Sequence, residues 1–459
     1  DSPYGPLATE PDEHGLLLPA GFTSRIIGVA GEPVGDTDYP WHAYPDGAAC
    51  FDDGEGGWYY AGNSEIFDFV AAASGGVSAV HFGPDGEILD AYRILDGSNS
   101  NCAGGPTPWG TWLSCEENGG EQGRVWECDP TGEAEAVAHE AMGRFAHEAA
   151  AVDPDGKAVY LTQDNPTGVL YRFTPTAYPD LSAGLLEAAF VDDEGAVTWQ
   201  EVPDPSGTSA PTRQQLPGAA VFPGAEGIWY HSGFVYFTTK YDHSVHSIEL
   251  ATQRHRLIWK GDPDHLGVEG AVLSGVDNIT VDATGDLFVA EDGGNMELVL
   301  ITADGTVAPF ARIPAADQAD SEITGPCFNP AGDRLYFSSQ RAPTPKALNE
   351  IVPAAQLTDR TCGVTFEITG PFRGARTADA GSGDDGDADQ GGWGGGCLLG
   401  GLRKVCGLLR GAADCGGQSS RSLSAGTPRL ERTTLGPCSQ EVRTSVTPAL
   451  LRRRRFVAT

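Results

Sequence analysis

Six short apolar segments recur along the chain, and each ends in a polar residue at the same offset. Several follow a glycine-containing turn such as DPDGKA, DATGD or NPAGDR. The glycine supplies the positive φ of a tight hairpin, and the apolar run is the next strand. The intervals between the terminal residues are 51, 48, 76, 52 and 48 positions. These residues are Glu65, Glu116, Asp164, Lys240, Asp292 and Gln340.

A repeat of about 50 residues with several strands in each unit is typical of propeller blades. The sequence therefore predicts an all-β chain, a six-bladed β-propeller. The longer interval leaves room for an insertion, and the polar, proline-rich stretch 203–218 is predicted to be a surface loop there. Hairpins of a β-sandwich, or of two β domains, would give a similar pattern and are the alternative.

The last part of the chain has a different composition. Residues 378–459 carry 11 basic and 8 acidic residues, whereas residues 1–377 carry 18 basic and 56 acidic residues, a net charge of −38. We therefore expect residues 1–377 to form a metal-binding propeller domain and residues 378–459 to form a low-complexity, disordered tail. A basic targeting or interaction tail is the alternative.

The charge of the chain limits its partners. A formal net charge of −35 argues against a general nucleic-acid or anionic-membrane binder, because both need cationic surface. Since no apolar stretch approaches about 18 residues, no membrane span is predicted.

The first residues lack a leader pattern, so we expect that a leader was removed or that the sequence starts late. The ten cysteines form no CxxC pair, and one or two disulfides are possible.

Carboxylates and amides recur beside the ends of the apolar runs. Because burying such groups without a cation is costly, their recurrence in several repeats predicts a metal site on the propeller axis. Calcium takes about six to eight oxygen ligands, whereas a thiolate among carboxylates indicates a transition metal such as iron. The predicted metal ligands are Glu65, Cys115, Glu116, Glu148, Asp164, Glu226, Asp277, Asn278 and Asp292.

Lys240 interrupts the acidic series. Its ammonium group is predicted either to hold a phosphate oxygen or to be an ordinary exposed lysine. Neither a GxSxG elbow nor a Walker A loop is present, which argues against a serine hydrolase and a P-loop nucleotidase.

Several longer motifs carry a family resemblance. They include NCAGGPTPWGTWLSCEEN at 101–118, GRFAHEAAAVDP at 143–154, GVDNITVDATGDLFVAEDGG at 275–294 and EITGPCFNPAGDRLYFSSQ at 322–340. Together they resemble the PhoX-type alkaline phosphatase family over nearly all of residues 2–372. The resemblance implies a six-bladed propeller that hydrolyses small phosphomonoesters with calcium and iron. It also implies export in folded form by the twin-arginine route, to a secreted, periplasmic or cell-surface location.

The resemblance assigns roles to the predicted ligands. Cys115 matches the family's thiolate iron ligand, and Glu148 and Glu226 match bridging or iron-binding carboxylates. With Lys240, these three are the candidate catalytic residues. The acids expected to bind calcium are Glu65, Glu116, Asp277 and Asp292.

One position departs from the family pattern. The family carries Arg-Pro-Glu, with an arginine that contacts phosphate, where this chain has Gly224, Ala225 and Glu226. Lys240 or Arg144 could supply the missing positive charge. The sequence thus leaves three hypotheses: a PhoX-type phosphatase, a non-catalytic calcium-binding propeller, and a lactonase-like hydrolase. The oligomeric state is open.

Overall fold

The strands form because apolar residues alternate between two packed faces. In the segment AVYLTQ, Val159 and Leu161 pack into one apolar cluster, whereas Ala158 and Tyr160 pack into the next. Such period-two alternation is that of a strand buried on both sides. The structure, a computed structural model, describes residues 2–118, 122–262, 272–319 and 321–376. The predicted tail, residues 378–459, lies outside these ranges.

The described strands form six antiparallel sheets arranged as propeller blades, as predicted. Blade 1 consists of β2 (Pro45–Asp52), β3 (Trp58–Ser64), β4 (Gly75–Phe82) and β5 (Ile88–Ser98). Blade 2 consists of β6 (Asn101–Pro106), β7 (Trp112–Glu116), β8 (Val125–Cys128) and β9 (Val137–Ala138). Blade 3 has five strands, β10 (His147–Asp153), β11 (Ala158–Gln163), β12 (Tyr171–Ala177), β13 (Asp180–Val191) and β14 (Val197–Glu201).

The second half of the chain repeats this arrangement. Blade 4 consists of β15 (Ala225–His231), β16 (Phe234–Thr239), β17 (Ser244–Glu249) and β18 (Arg254–Lys260). Blade 5 consists of β19 (Val276–Val281), β20 (Leu287–Glu291), β21 (Glu297–Ile301) and β22 (Val307–Arg312). Blade 6 consists of β23 (Ile323–Phe328), β24 (Arg334–Ser339), β25 (Val364–Thr369) and β1 (Thr23–Val29).

The propeller is closed by the N-terminal strand. β1 pairs antiparallel with β25, so the first and last strands of the fold share blade 6. The long third interval, from Asp164 to Lys240, is explained by β14 and by the stretch 203–218, which contains a 3-10 turn, Thr212–Gln214, and no strand. The two described α-helices, α1 (Asp68–Ala71) and α2 (Leu348–Ile351), are far too short to span a membrane.

Apolar clusters between neighbouring blades hold the fold together. Trp112 of blade 2 is buried against Ala61 of blade 1, and its indole nitrogen donates a hydrogen bond to Asn63 Oδ1 at 2.8 Å. Tyr336 of blade 6 packs against Tyr60 of blade 1 across the closure. Each such face removes apolar surface from water, which stabilises the fold by about 25 cal/mol per Å².

The first strand of every blade has a β-bulge near its start. The registers shift at residues 46–47, 102–103, 148–149, 226–227, 277–278 and 325–326. A bulge changes the direction in which a side chain points, compared with its direction in a regular strand. Because the bulges occur at matching positions, they can direct one side chain from each of blades 1 to 5 toward the axis, and the matching residue of blade 6 is Gly325.

The axis below these bulges is nearly closed. A Cβ on Gly47 would lie 2.4 Å from Ala103 Cα, and a Cβ on Gly227 would lie 2.7 Å from Asn278 Cα. Only glycine permits the first strands to approach so closely. The cavity that these strands enclose has a volume of about 20 Å³, roughly the space of one water molecule.

Candidate metal centre

The first of two groups of axial side chains comes from the bulges. It occupies the second residue of the first strand in blades 1 to 5, and we call it the bulge ring. All five side chains are buried. The members of the bulge ring are Asp46, Cys102, Glu148, Glu226 and Asp277.

The second group directly follows the second strand of each blade, and we call it the strand-end ring. Since the first two strands of a blade are antiparallel, the end of the second lies beside the start of the first. Ser64, for example, pairs with Pro45, and ligand atoms of the neighbouring residues Glu65 and Asp46 lie within 4.8 Å of each other. The members of the strand-end ring are Glu65, Glu117, Asp164, Lys240, Asp292 and Gln340.

The two rings converge on one region with the geometry of metal sites. Among the described residues, four sets of three side chains place potential ligand atoms within 4.8 Å of one another. Consecutive sets share a residue, so the four sets form one continuous cluster. They are Asp46, Glu65 and Cys102; Cys102, Glu117 and Glu148; Glu148, Glu226 and Asp277; and Asp277, Asp292 and Glu322.

Burial and neighbouring carboxylates destabilise the charged form of the carboxyl groups in this cluster. Burial raises the pKa of Asp277 to about 7, although Lys240 opposes the shift. Burial, reinforced by neighbouring carboxylates, also raises other carboxyl pKa values well above their usual range. These carboxyls belong to Asp46, Glu117, Glu148, Glu226 and Glu322.

Two buried carboxylate oxygens of the cluster have unused hydrogen-bonding capacity. Oδ1 of Asp46 and Oε2 of Glu148 are buried and accept no hydrogen bond from the described residues. A buried charged oxygen without a partner is costly, so it must be either protonated or bound to a cation. The cluster therefore fits metal ions by charge, donor type and unsatisfied capacity.

Protein cations and amides neutralise part of the cluster. The ammonium nitrogen of Lys240 lies 3.1 Å from Glu226 Oε1, 3.6 Å from Asp292 Oδ2, 3.8 Å from Asp277 Oδ2 and 3.9 Å from Asp164 Oδ2. Burial lowers the pKa of Lys240, but these carboxylates outweigh it and hold the pKa well above its usual range. Lys240 is therefore protonated at neutral pH.

Two further side chains, Gln340 and Arg341, support the cluster at its edge. Gln340 Nε2 donates hydrogen bonds to Asp46 Oδ2 at 2.6 Å and to Glu65 Oε2 at 2.8 Å. The guanidinium of Arg341 lies 3.1 Å from Glu322 Oε1. These groups fix the orientation of three carboxylates that bound ions would use.

Cys115 does not lie where it was predicted. It is fully buried in the apolar cluster between blades 2 and 3, beside Leu113 and Val125. The cysteine among the axial carboxylates is Cys102, whose Sγ lies 3.3 Å from Glu148 Oε1. Of these two cysteines of blade 2, the one near the axial carboxylates is thus Cys102 on the preceding strand, β6, and not Cys115.

Glu116 was predicted to be a metal ligand, but its neighbour Glu117 belongs to the cluster in its place. Its carboxylate accepts backbone hydrogen bonds from Arg124 at 3.0 Å and from Asn99 at 3.4 Å, within its own part of the fold. Because β7 ends at Glu116, the residue equivalent to Glu65 is Glu117, which joins the cluster.

The other predicted residues lie in or beside the cluster. Glu65, Glu148, Glu226, Asp277 and Asp292 contribute ligand atoms to it. Asp164 and Lys240 border it through their mutual ion pair. Asn278 supports it instead, because its amide nitrogen donates to Asp277 Oδ1 at 2.9 Å and its oxygen accepts from Gly325 N at 2.7 Å.

The sequence pattern did not single out Asp46, Cys102, Glu117 or Glu322 as ligands. The spacing of residues in the sequence does contain a signal for Asp46 and Cys102. Glu148 and Glu226 lie 16 and 14 residues before Asp164 and Lys240, and counting back a similar distance from the other strand ends reaches Asp46 and Cys102. Recognising this offset requires the hairpin lengths, which vary between blades.

Gly224 borders the cluster in a conformation that suits glycine. Its φ is +63°, and a Cβ there would lie 2.5 Å from Cδ2 of Tyr241 and 3.2 Å from Asp164 Oδ1. Lys240 N donates a hydrogen bond to Gly224 O at 2.7 Å. Arg144, considered as a substitute for the missing arginine, instead forms paired hydrogen bonds with Glu140.

Comparison with known families identifies the chain. The family profile described as "Alkaline phosphatase PhoX" matches residues 83–343, more than half of the sequence. The chain belongs to the alkaline phosphatase PhoX family. No curated protein matches the sequence.

Comparison with solved structures gives several matches for this PhoX family member. Pseudomonas fluorescens PhoX, determined in complex with vanadate as a transition state analogue, has 18% sequence identity and a TM-score of 0.65, and the match covers 81% of this chain and 99% of that chain. A gluconolactonase from Xanthomonas campestris has 13% identity and a TM-score of 0.38, with 78% of this chain and 89% of that chain covered. At these identities the first likeness establishes the propeller fold.

Proposed function

We propose that this protein is a metal-dependent phosphomonoesterase that uses calcium and iron at the axial cluster. The observation that carries the proposal is the continuous set of four overlapping ligand groups formed by the bulge ring, the strand-end ring and Glu322, which directly precedes β23. Membership of the PhoX family and the vanadate complex of Pseudomonas fluorescens PhoX support phosphoryl chemistry at such a site. The substrate would be a small phosphoester.

The donor set divides into two kinds. At the Asp277 end of the cluster, Asp277, Asp292 and Glu322 offer carboxylate oxygen alone, the donor that calcium prefers. In the two sets that share Cys102, a thiol joins the carboxylates, and sulfur favours a transition metal over calcium. Iron beside Cys102 and calcium at the all-oxygen sets are therefore the assignment that the donors support best.

When bound, such ions would neutralise phosphoryl charge and lower the pKa of an attacking oxygen. The chain's own residues would orient the substrate. Lys240 keeps its proton at neutral pH, so its ammonium can donate to a phosphoryl oxygen but cannot act as a general base. Asn278 and Gln340 hold the carboxylates of Asp277 and Asp46 in fixed orientations, which limits rearrangement during the reaction.

The proposal is tested by metal analysis together with turnover of para-nitrophenyl phosphate in the presence of calcium. We expect iron and calcium in the purified chain, turnover that chelation removes, and loss of both in Glu148→Gln. Glu187→Gln is the matched control, because Glu187 pairs with Arg172 on blade 3 away from the cluster. Turnover that survives complete chelation would contradict the proposal.

A non-catalytic calcium-binding propeller is the second candidate, and one observation favours it. Gly224 offers no side chain, and the Tyr241 ring fills the space next to it, so no arginine contacts phosphate from this position. Calcium binding without turnover of aryl or alkyl phosphates would support this candidate. Export by the twin-arginine route is part of the first proposal and is tested by the location of the protein in its own cells.

A further inference from the structure

Tyr241 is an exposed aromatic residue at the edge of the axial cluster. It directly follows Lys240 of the strand-end ring, and 52% of its surface is exposed. Its backbone N–H donates to Pro223 O at 3.3 Å. The backbone of Tyr241 therefore lies at the same end of the propeller as the cluster.

Gly224 determines where this ring lies. A Cβ at position 224 would approach Cδ2 and Cε2 of Tyr241 to 2.5 and 2.7 Å, distances that real side chains do not adopt. The ring thus occupies the space that any other residue at 224 would need. The positive φ of Gly224 adds a second reason why glycine suits this position.

The ring is also close to the groups that would bind phosphate. A Cβ at position 224 would lie 3.2 Å from Asp164 Oδ1 and in contact with the Tyr241 ring. Gly224 therefore lies between the ring and the carboxylate of Asp164. Lys240, the neighbour of Tyr241, contacts four carboxylates of the cluster. Burial raises the pKa of Tyr241, and the negative charge of Asp164 adds to the shift.

We propose that Tyr241 determines substrate specificity by stacking on a planar, aromatic leaving group. This inference rests on the proposed phosphatase function. A phosphoryl group held by the metals and Lys240 would place its ester oxygen near the cluster edge, where the exposed ring offers an apolar surface. Aromatic pairs are worth about 0.5–1.5 kcal/mol, which converts to roughly a 2- to 12-fold preference for an aryl over an alkyl group.

The first test measures binding of two non-hydrolysable probes, phenylphosphonate and methylphosphonate, by calorimetry on the metal-loaded protein. We expect phenylphosphonate to bind more tightly to the wild type. Tyr241→Ala should remove the preference without changing methylphosphonate affinity, and Tyr241→Phe should keep it. Tyr230→Ala is the control, because Tyr230 lies at the opposite end of blade 4, at the β15–β16 hairpin. Tyr241→Leu keeps a large apolar side chain in case the alanine variant misfolds, and it too should lose most of the preference.

The second test compares turnover of phenyl phosphate and methyl phosphate in the same proteins. If Tyr241→Ala keeps the wild-type ratio of kcat/KM, or if neither phosphonate binds, the role of Tyr241 is refuted. If the wild type prefers phenylphosphonate and Tyr241→Ala does not, the role stands even when no ester is hydrolysed. Absence of hydrolysis of both esters, together with this binding preference, would refute the phosphatase proposal alone. The two failures are therefore distinguishable.

Discussion

Replacing Cys102 and Cys115 by serine, one at a time, should give opposite results. Both belong to blade 2, but Cys102 Sγ contacts Glu148 among the axial carboxylates whereas Cys115 is surrounded by apolar side chains. Cys102→Ser removes sulfur from a polar site in which a hydroxyl can still donate to Glu148. Cys115→Ser places a hydroxyl where no partner is available among Leu113 and Val125.

The expected magnitudes follow from these surroundings. Burial of a hydroxyl without a partner costs about 1–3 kcal/mol. At roughly 2 °C per kcal/mol, a value for large domains, Cys115→Ser should lower the Tm by about 2–6 °C and leave the metal content unchanged. Cys102→Ser should lower the Tm of the metal-free protein by less than about 1 °C and weaken iron binding by at least ~10–100-fold, the cost of disturbing even a group that supports a ligand.

The assay combines calorimetric unfolding of the metal-free proteins with elemental analysis after dialysis against a weak chelator. Wild type and Cys115→Ser should retain iron, and Cys102→Ser should lose it. Iron that persists in Cys102→Ser but disappears from Cys115→Ser would refute the placement of the two cysteines. Calcium content measured in parallel should change little in either variant, because the all-oxygen ligand sets are intact.

Three further predictions concern the rest of the cluster. Lys240→Met should lower kcat/KM by about 10²–10³-fold and raise calcium affinity, because a positive charge leaves the carboxylates; unchanged values of both would contradict its position. Glu117→Gln should weaken metal binding in calorimetric titrations whereas Glu116→Gln should not, and the reverse result would place Glu116 in the site. Since burial raises the pKa of Asp277 to about 7, the metal-free fold loses stability as pH rises from about 4 through 7, so the calcium-induced rise in Tm should be small at pH 5 and larger at pH 8. A rise in Tm that is independent of pH would refute this coupling.

The sequence by itself determined the repeat and most of one ring. Hairpin glycines and period-two alternation are local features, so the end of each second strand can be located without knowledge of the fold. Glu65, Asp164, Lys240, Asp292 and Gln340 all directly follow a second strand, as the pattern predicted. The number of repeats then determined the number of blades.

Only the tertiary structure decided which side chains reach the axis from the first strands. The bulges at residues 102–103 and 148–149 direct Cys102 and Glu148 toward each other, and a bulge is defined by the register between two paired strands, which the residues of one strand do not give. Cys115 lies one residue before the end of β7 and its side chain is in the core between blades. The physical reason is that a strand buried on both sides directs its regular side chains into the apolar faces between blades, so the axis is reached from the bulges and from residues that follow the strand ends.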